Sequence, residues 1–198
     1  MNWRVQVLGR LALTQGQREI THFERARVAV LLAYLAIHWR RPHPREELIE
    51  LLWPDEDPAL TRPRLRQALY SLRHQLEPPG VAHGSLLIAD RNTVRLNPAS
   101  FTCDAVDFER LAYEGRSREA RALYVGDLLP GFYDDWILLE RERLAEICEA
   151  LPPESSRRGR VESSLHTPSL AASRAAILAS RSQLATSPGA EPVLTRRS

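Results

Sequence analysis

Ten consecutive residues, Val28 to Ile37, contain no charged side chain, and they set the first limit on the fold. The run is too short to span a bilayer, which takes about 20 apolar residues in a helix. Val28, Leu31, Leu32 and Leu35 recur at helical spacing, with Ala29, Ala33 and Ala36 around them. A helix over Phe23–His38 that is apolar nearly all round belongs inside a core, with other elements packed on every side. The break that ends it, Trp39-Arg40-Arg41-Pro42-His43-Pro44, contains two prolines that block continuation.

Two further helices are predicted to cover it. Arg45–Trp53 presents Leu48, Ile49, Leu52 and Trp53 on one face, with Pro44 at its start and Glu46 and Glu47 at the positive end of its dipole. After the Pro54–Pro58 loop, Thr61–Glu77 forms the third helix, with Thr61 as cap and Pro63 in the first turn. Before these helices, Trp3–Leu8 and Arg10–Leu13 read as short strands followed by a turn at Gln15-Gly16-Gln17. After them, Leu86–Ala89 and Val94–Leu96 flank Asp90-Arg91-Asn92-Thr93, a sequence suited to a tight hairpin. Three helices followed by a hairpin is the order of a winged helix-turn-helix.

The third helix is the candidate binding surface. Leu65, Ala68, Leu69, Leu72 and Leu76 form one stripe, and Pro63, Gln67, Tyr70 and His74 lie opposite it, with Ser71 to one side. Arg62 lies in the first turn, Arg66 and Arg73 border the stripe on one edge, and Arg64 borders it on the other. Such a surface suits a major groove: amide and aromatic groups reach base edges while arginines reach phosphates. From Thr61 to Gln75 there is no acidic residue to repel a backbone. Arg91 and Arg95 on the hairpin extend the basic surface, Arg91 at its tip facing a minor groove or a phosphate. The expected partner is double-stranded DNA.

Charge is segregated along the chain. Over residues 1–100, 14 Arg face 10 acidic residues; over 101–151, 6 Arg face 12; from 152 onward, 7 Arg face 3 Glu. A basic front and an acidic second part suit a protein that meets phosphate at one end. Past Asp104, Val106–Tyr113, Arg118–Tyr124 and Trp136–Leu151 read as helices. Residues 152–198 are rich in Ser, Ala, Arg and Pro without an aromatic residue, and this composition predicts disorder. The domain reading is therefore 1–99, 100–151 and 152–198, in a mainly α fold with a small β component (α+β). Cys103 and Cys148 read as reduced thiols, no spacing suggests a metal, and Asp127, Asp134, Asp135 and Glu140 follow no ligand loop. No phosphate-loop, dinucleotide, nucleophile-elbow or zincin motif occurs, so nothing points to an enzyme or a cofactor. The N-terminus lacks a secretory layout, and the chain reads as cytoplasmic, without a membrane partner.

Several stretches resemble a known family. Leu31-Leu32-Ala33-Tyr34-Leu35-Ala36, Arg45 through Asp55, Leu65-Arg66-Gln67-Ala68-Leu69 and Ala89 through Leu96 are similar to the OmpR-type winged helix of SARP-family antibiotic regulators. Tyr124 through Trp136 and Glu140-Arg141-Glu142-Arg143-Leu144 resemble the start of the bacterial transcriptional activator domain, which is helical and tetratricopeptide-like. The resemblance implies a sequence-specific regulator, an activator that binds repeated promoter sites, contacts RNA polymerase and forms a homodimer, with the third helix reading DNA. Pro44 and Pro63 depart from the polar residues the family often has there. The family continues into further helices where this chain has its Ser/Arg/Ala-rich stretch, so Leu138, Leu139, Leu144 and Ile147 are expected at the surface. That departure sets an alternative beside activation: a truncated regulator or winged-helix interaction protein that binds DNA or dimerises without recruiting polymerase.

Overall fold

A computed structural model describes residues 2–153; the segment expected to be disordered lies outside them apart from Pro152 and Pro153. The apolar run becomes helix α1 (Ala26–Ile37), and all ten residues from Val28 to Ile37 are buried. The helix starts three residues later than its periodicity suggested, because Arg25 is extended and no side chain caps the end. Helices α2 (Arg45–Leu52) and α3 (Pro58–Leu76) pack against α1 and each other. The five-residue stripe of α3, Leu65, Ala68, Leu69, Leu72 and Leu76, is entirely buried.

The start of α3 corrects the sequence expectation. Asp57, not Thr61, is the cap: its carboxylate accepts from the Ala59 amide at 2.8 Å. Thr61 is buried one turn in and donates its hydroxyl to the Asp57 carbonyl at 3.2 Å. Pro63 therefore sits inside the helix rather than in its first turn, where it offers no N–H to the carbonyl one turn back.

A front sheet precedes the helices, formed by β1 (Trp3–Gln6), β2 (Ala12–Gln15) and β3 (Arg18–Ile20). The wing comprises β4 (His43–Pro44), β5 (Leu87–Ala89) and β6 (Thr93–Leu96), ordered β4-β6-β5. After a 3₁₀ turn at Pro98–Ser100, β7 (Phe101–Cys103) returns to the front sheet and pairs parallel to β1, giving the order β3-β2-β1-β7. Then come α4 (Asp104–Tyr113), α5 (Ser117–Leu123) and α6 (Asp135–Ala150). The result is a mixed α+β fold containing a winged helix-turn-helix.

The segment after residue 100 shares its core with the front. The Asp104 carboxylate accepts from the amides of Val7 (2.9 Å), Leu8 (3.0 Å) and Ala105 (2.8 Å). Burial pushes its pKa up, although those amides work against the shift. The loop before α6 lies against the segment that follows β1, with Gly9 donating to the Asp127 carbonyl at 2.8 Å and Leu129 to the Val7 carbonyl at 2.9 Å. A Cβ on Gly126 would meet the Gly9 Cα at 3.0 Å, so the close approach needs glycine there. Arg141 ties the same loop to α6, donating to the carbonyls of Leu128, Leu129 and Phe132 at 3.0–3.1 Å.

Leu144, expected at the surface, is instead buried where α6 packs on α4, and Ile147 is half-buried against the core. Leu139 is 62% exposed and Leu138 is 37% exposed. Both cysteines are free; Cys103 is buried, which pushes its thiol up to about 12. No helix among the described residues is long and apolar enough to cross a membrane.

Candidate nucleic-acid interface

The interface is built on the side of α3 that the core leaves uncovered. Because five apolar residues lock one face inward, the rotation of the helix is fixed and Arg62, Pro63, Arg66, Gln67, Tyr70 and His74 face solvent. Tyr70 is 69% exposed and lies parallel to His74, with ring centroids 6.4 Å apart and planes 5° from parallel. The two rings stack one turn apart on the exposed face that also carries Gln67.

The remaining predicted residues divide by what they touch. Arg64 is exposed but paired with Glu56 in the loop before the helix. The Ser71 hydroxyl donates to Glu24 at 3.2 Å, at the edge of a groove that Arg64 and Gln67 also line. Arg73 is turned away from solvent: it donates to the Leu87 carbonyl at 3.1 Å and lies 3.4 Å from Glu77. It joins α3 to the wing. Arg95 is exposed on β6, where the buried-exposed alternation puts Val94 and Leu96 inward.

Arg91 comes together with Arg62 and Arg66. The three line a cleft of about 360 Å³ between α2, α3 and the wing, along with Arg45, Glu46, Ile49 and Leu65. Arg45 was not singled out in the sequence. The signal lay in the short β4 strand just before it, which pairs with β6 (His43 opposite Val94, Pro44 opposite Thr93) and brings the start of α2 to the wing. A two-residue strand has no alternation to read.

Two carboxylates hold the wing in place. Asp90 accepts from the amides of Asn92 and Thr93 at 2.7 Å each and from the Thr93 hydroxyl at 2.9 Å. Those amides, Thr93 first, keep its carboxyl below the usual carboxylate range. Glu77, just past α3, is buried and accepts from Gly84 (3.0 Å), Leu86 (2.8 Å) and Leu87 (2.8 Å). Burial alone would raise its pKa; the three amides and Arg73 outweigh that and hold it low. The role of Glu77 was not legible from sequence, because its amides lie 7 to 10 residues further along.

A polar cluster around the buried side chains of Tyr34 and His43 supports the start of α2. Glu47 accepts from the Tyr34 hydroxyl and from Arg41, and His43 sits between Glu47 (3.3 Å) and the His38 carbonyl (2.9 Å). Burial works to raise the Glu47 pKa, but these donors bring it down to about 2. Of the acidic residues Asp127, Asp134, Asp135 and Glu140, Asp134 pairs with Arg27 and Glu140 with Arg143. No group of three potential metal ligands is assembled among the described residues.

No protein-family profile matches the sequence, and no curated protein matches it at the level of sequence. Among solved structures, the chain is similar to Mycobacterium tuberculosis EmbR, determined in complex with a low affinity phosphopeptide. The TM-score is 0.61 and the identity 23%, over 75% of this chain and 43% of that one. The likeness is one of fold, and the chain spans less than half the length of that protein.

Proposed function

We propose that this chain is a sequence-specific DNA-binding transcriptional regulator of the SARP type, acting in the cytoplasm, with residues 1–99 as the DNA-binding domain and 100–151 as a helical activator-type domain. One observation carries the reading: the core fixes α3 so that its polar, acid-free face projects outward, with a basic wing beside it. In this reading α3 enters the major groove. Gln67, Tyr70 and His74 face base edges, where an amide pairs well with adenine and an aromatic ring packs on a thymine methyl. Arg62, Arg64, Arg66, Arg91 and Arg95 meet phosphates and set the register without reading sequence. Arg73 and Ser71, which already have partners within the chain, hold α3 in position. The motif resemblance adds repeated promoter sites, a homodimer and contact with RNA polymerase.

The test is selection of binding sites from a randomised duplex library by the purified 198-residue protein. Enrichment of one short motif, in repeated copies, is expected. Changing Gln67 and Tyr70 together to Ala should cost about 1–3 kcal/mol on the selected site per lost base contact and leave random duplex almost unaffected. Equal losses on both duplexes would remove base reading from these residues, and a library with no enrichment would end the proposal.

A further inference from the structure

The cleft between α2, α3 and the wing is dominated by one kind of charge. Four arginines, Arg45, Arg62, Arg66 and Arg91, come from three separate elements and face Glu46 alone among acids. None of the four has a carboxylate within ion-pair distance among the described residues, whereas Arg64, between Arg62 and Arg66 on another side of the same helix, does. Like charges so arranged repel one another at close range unless an anion enters.

The position of Arg91 is fixed from both sides. Arg45 donates its Nε–H to the carbonyl of Asp90 and its backbone N–H to the carbonyl of Asn92, each at 2.9 Å. The residues before and after Arg91 are thus strapped to the first turn of α2, and the Asp90 hydrogen bonds stiffen the turn between them. A wing tip reaching into a minor groove has to project away from the helices. This one is bound to them, and its arginine lines the cleft beside Arg62 and Arg66.

We propose that this cleft is a single-phosphate clamp, in which arginines from α2, α3 and the wing close on one DNA backbone phosphate, leaving the minor groove unread. The inference rests on the DNA-binding reading above for the source of the phosphate. The guanidinium groups of Arg62, Arg66 and Arg91 supply charge-assisted donors, and Arg45 contributes the nitrogens its strap leaves free. Ile49 and Leu65 floor the cleft with apolar surface, which lowers the local dielectric and strengthens the pairing.

The clamp has a quantitative signature. Each neutralised phosphate contributes about 0.9 to the slope of log affinity against log salt. Arginines meeting separate phosphates lose slope additively, so Arg62→Ala, Arg66→Ala and Arg91→Ala combined would remove about 2.7. Around one phosphate the triple variant removes only about 0.9, close to the loss in the strongest single variant. The full chain and its variants are titrated with a random 20-base-pair duplex between low and physiological salt, with and without netropsin in the minor groove. In parallel, inorganic pyrophosphate is titrated while the arginine Nε–H resonances are followed. Expected are non-additive slopes, no displacement by netropsin, and saturable shifts at Arg62, Arg66 and Arg91 that vanish in the triple variant. Additive slopes, or displacement by netropsin that Arg91→Ala abolishes, overturn the clamp while DNA binding stands. Pyrophosphate shifts without duplex binding keep the anion site and overturn the DNA source; loss of both readouts overturns the proposal whole. Unchanged urea midpoints in the variants show that they are folded.

Discussion

Arginine is the sole basic residue besides histidine in this chain, yet it does opposite work in the cleft and in the segment after residue 100. In α2, α3 and the wing, Arg45, Arg62, Arg66 and Arg91 gather in a cleft, none of them within ion-pair distance of a carboxylate among the described residues. In the segment after residue 100, Arg110 pairs with Asp107 and Glu114, Arg116 with Glu114 and Glu119, and Arg143 with Glu109 and Glu140, while Arg141 holds three carbonyls. A guanidinium whose donors are satisfied internally is a strut; one left in a cluster of its own sign has its counter-ion elsewhere. Arg10, Arg41, Arg64 and Arg73 in the front half are also paired with carboxylates, so the contrast is between the cleft and the segment after residue 100 rather than between whole halves.

Substitutions can break this contrast, beginning with the largest effect. Arg141→Ala strands the carbonyls of Leu128, Leu129 and Phe132, which should cost on the order of 3–5 kcal/mol in urea unfolding. A loss below 1 kcal/mol would mean the paired arginines are not structural. Next, Glu77→Ala leaves three amides and Arg73 without their acceptor, and about 2–4 kcal/mol should be lost. Its pKa is lower folded than unfolded, so its contribution is present at neutral pH and disappears as pH falls through the ordinary carboxylate range and below. The variant should therefore show a flatter acid limb in its unfolding midpoint than wild type.

Glu47→Gln sharpens the same point at the base of α2. With the folded carboxyl at about 2, the unfolded chain binds more protons between the ordinary carboxylate range and pH 2, and stability drains away as pH falls through that window. The Gln variant should lose less of its thermal midpoint there than wild type; equal losses would remove Glu47 from the acid response. Smallest of all, Arg62→Ala and Arg66→Ala should move stability by no more than about 0.5 kcal/mol, since neither side chain has a hydrogen-bond or ion-pair partner among the described residues. A larger shift in calorimetry would show that the cleft arginines are structural after all.

What could be read from the sequence followed from periodic features. The buried run of α1 and the stripe of α3 repeat over several turns, and the Asp90–Thr93 turn has distinctive chemistry, so the helices and the wing were legible. Strands β3 and β7 were not, because three residues give no alternation to count. The cap of α3 was misplaced because Asp57 sits in an acidic loop that reads as solvated, while Thr61 matched the usual capping type only one turn too late. At the candidate site the outward faces of Gln67, Tyr70 and His74 came from periodicity alone. The convergence of Arg45 and Arg91, and the Glu77 latch, depend on pairings between residues distant in sequence, which one sequence does not display.

The pairing of β1 with β7 has a consequence for synthesis. Trp3, Arg4 and Val5 face Phe101, Thr102 and Cys103, so β1 finds its parallel neighbour only after nearly a hundred further residues have been made. The helices around α1 can assemble from contacts close in sequence during that interval. β2 can cover one edge of β1 at once, but the other edge is covered late, with Asp104 arriving one residue behind β7 to accept the amides of Val7 and Leu8. Translation speed around residues 101–104 therefore governs how long that second edge of β1 stays open, a window in which it can take the wrong partner.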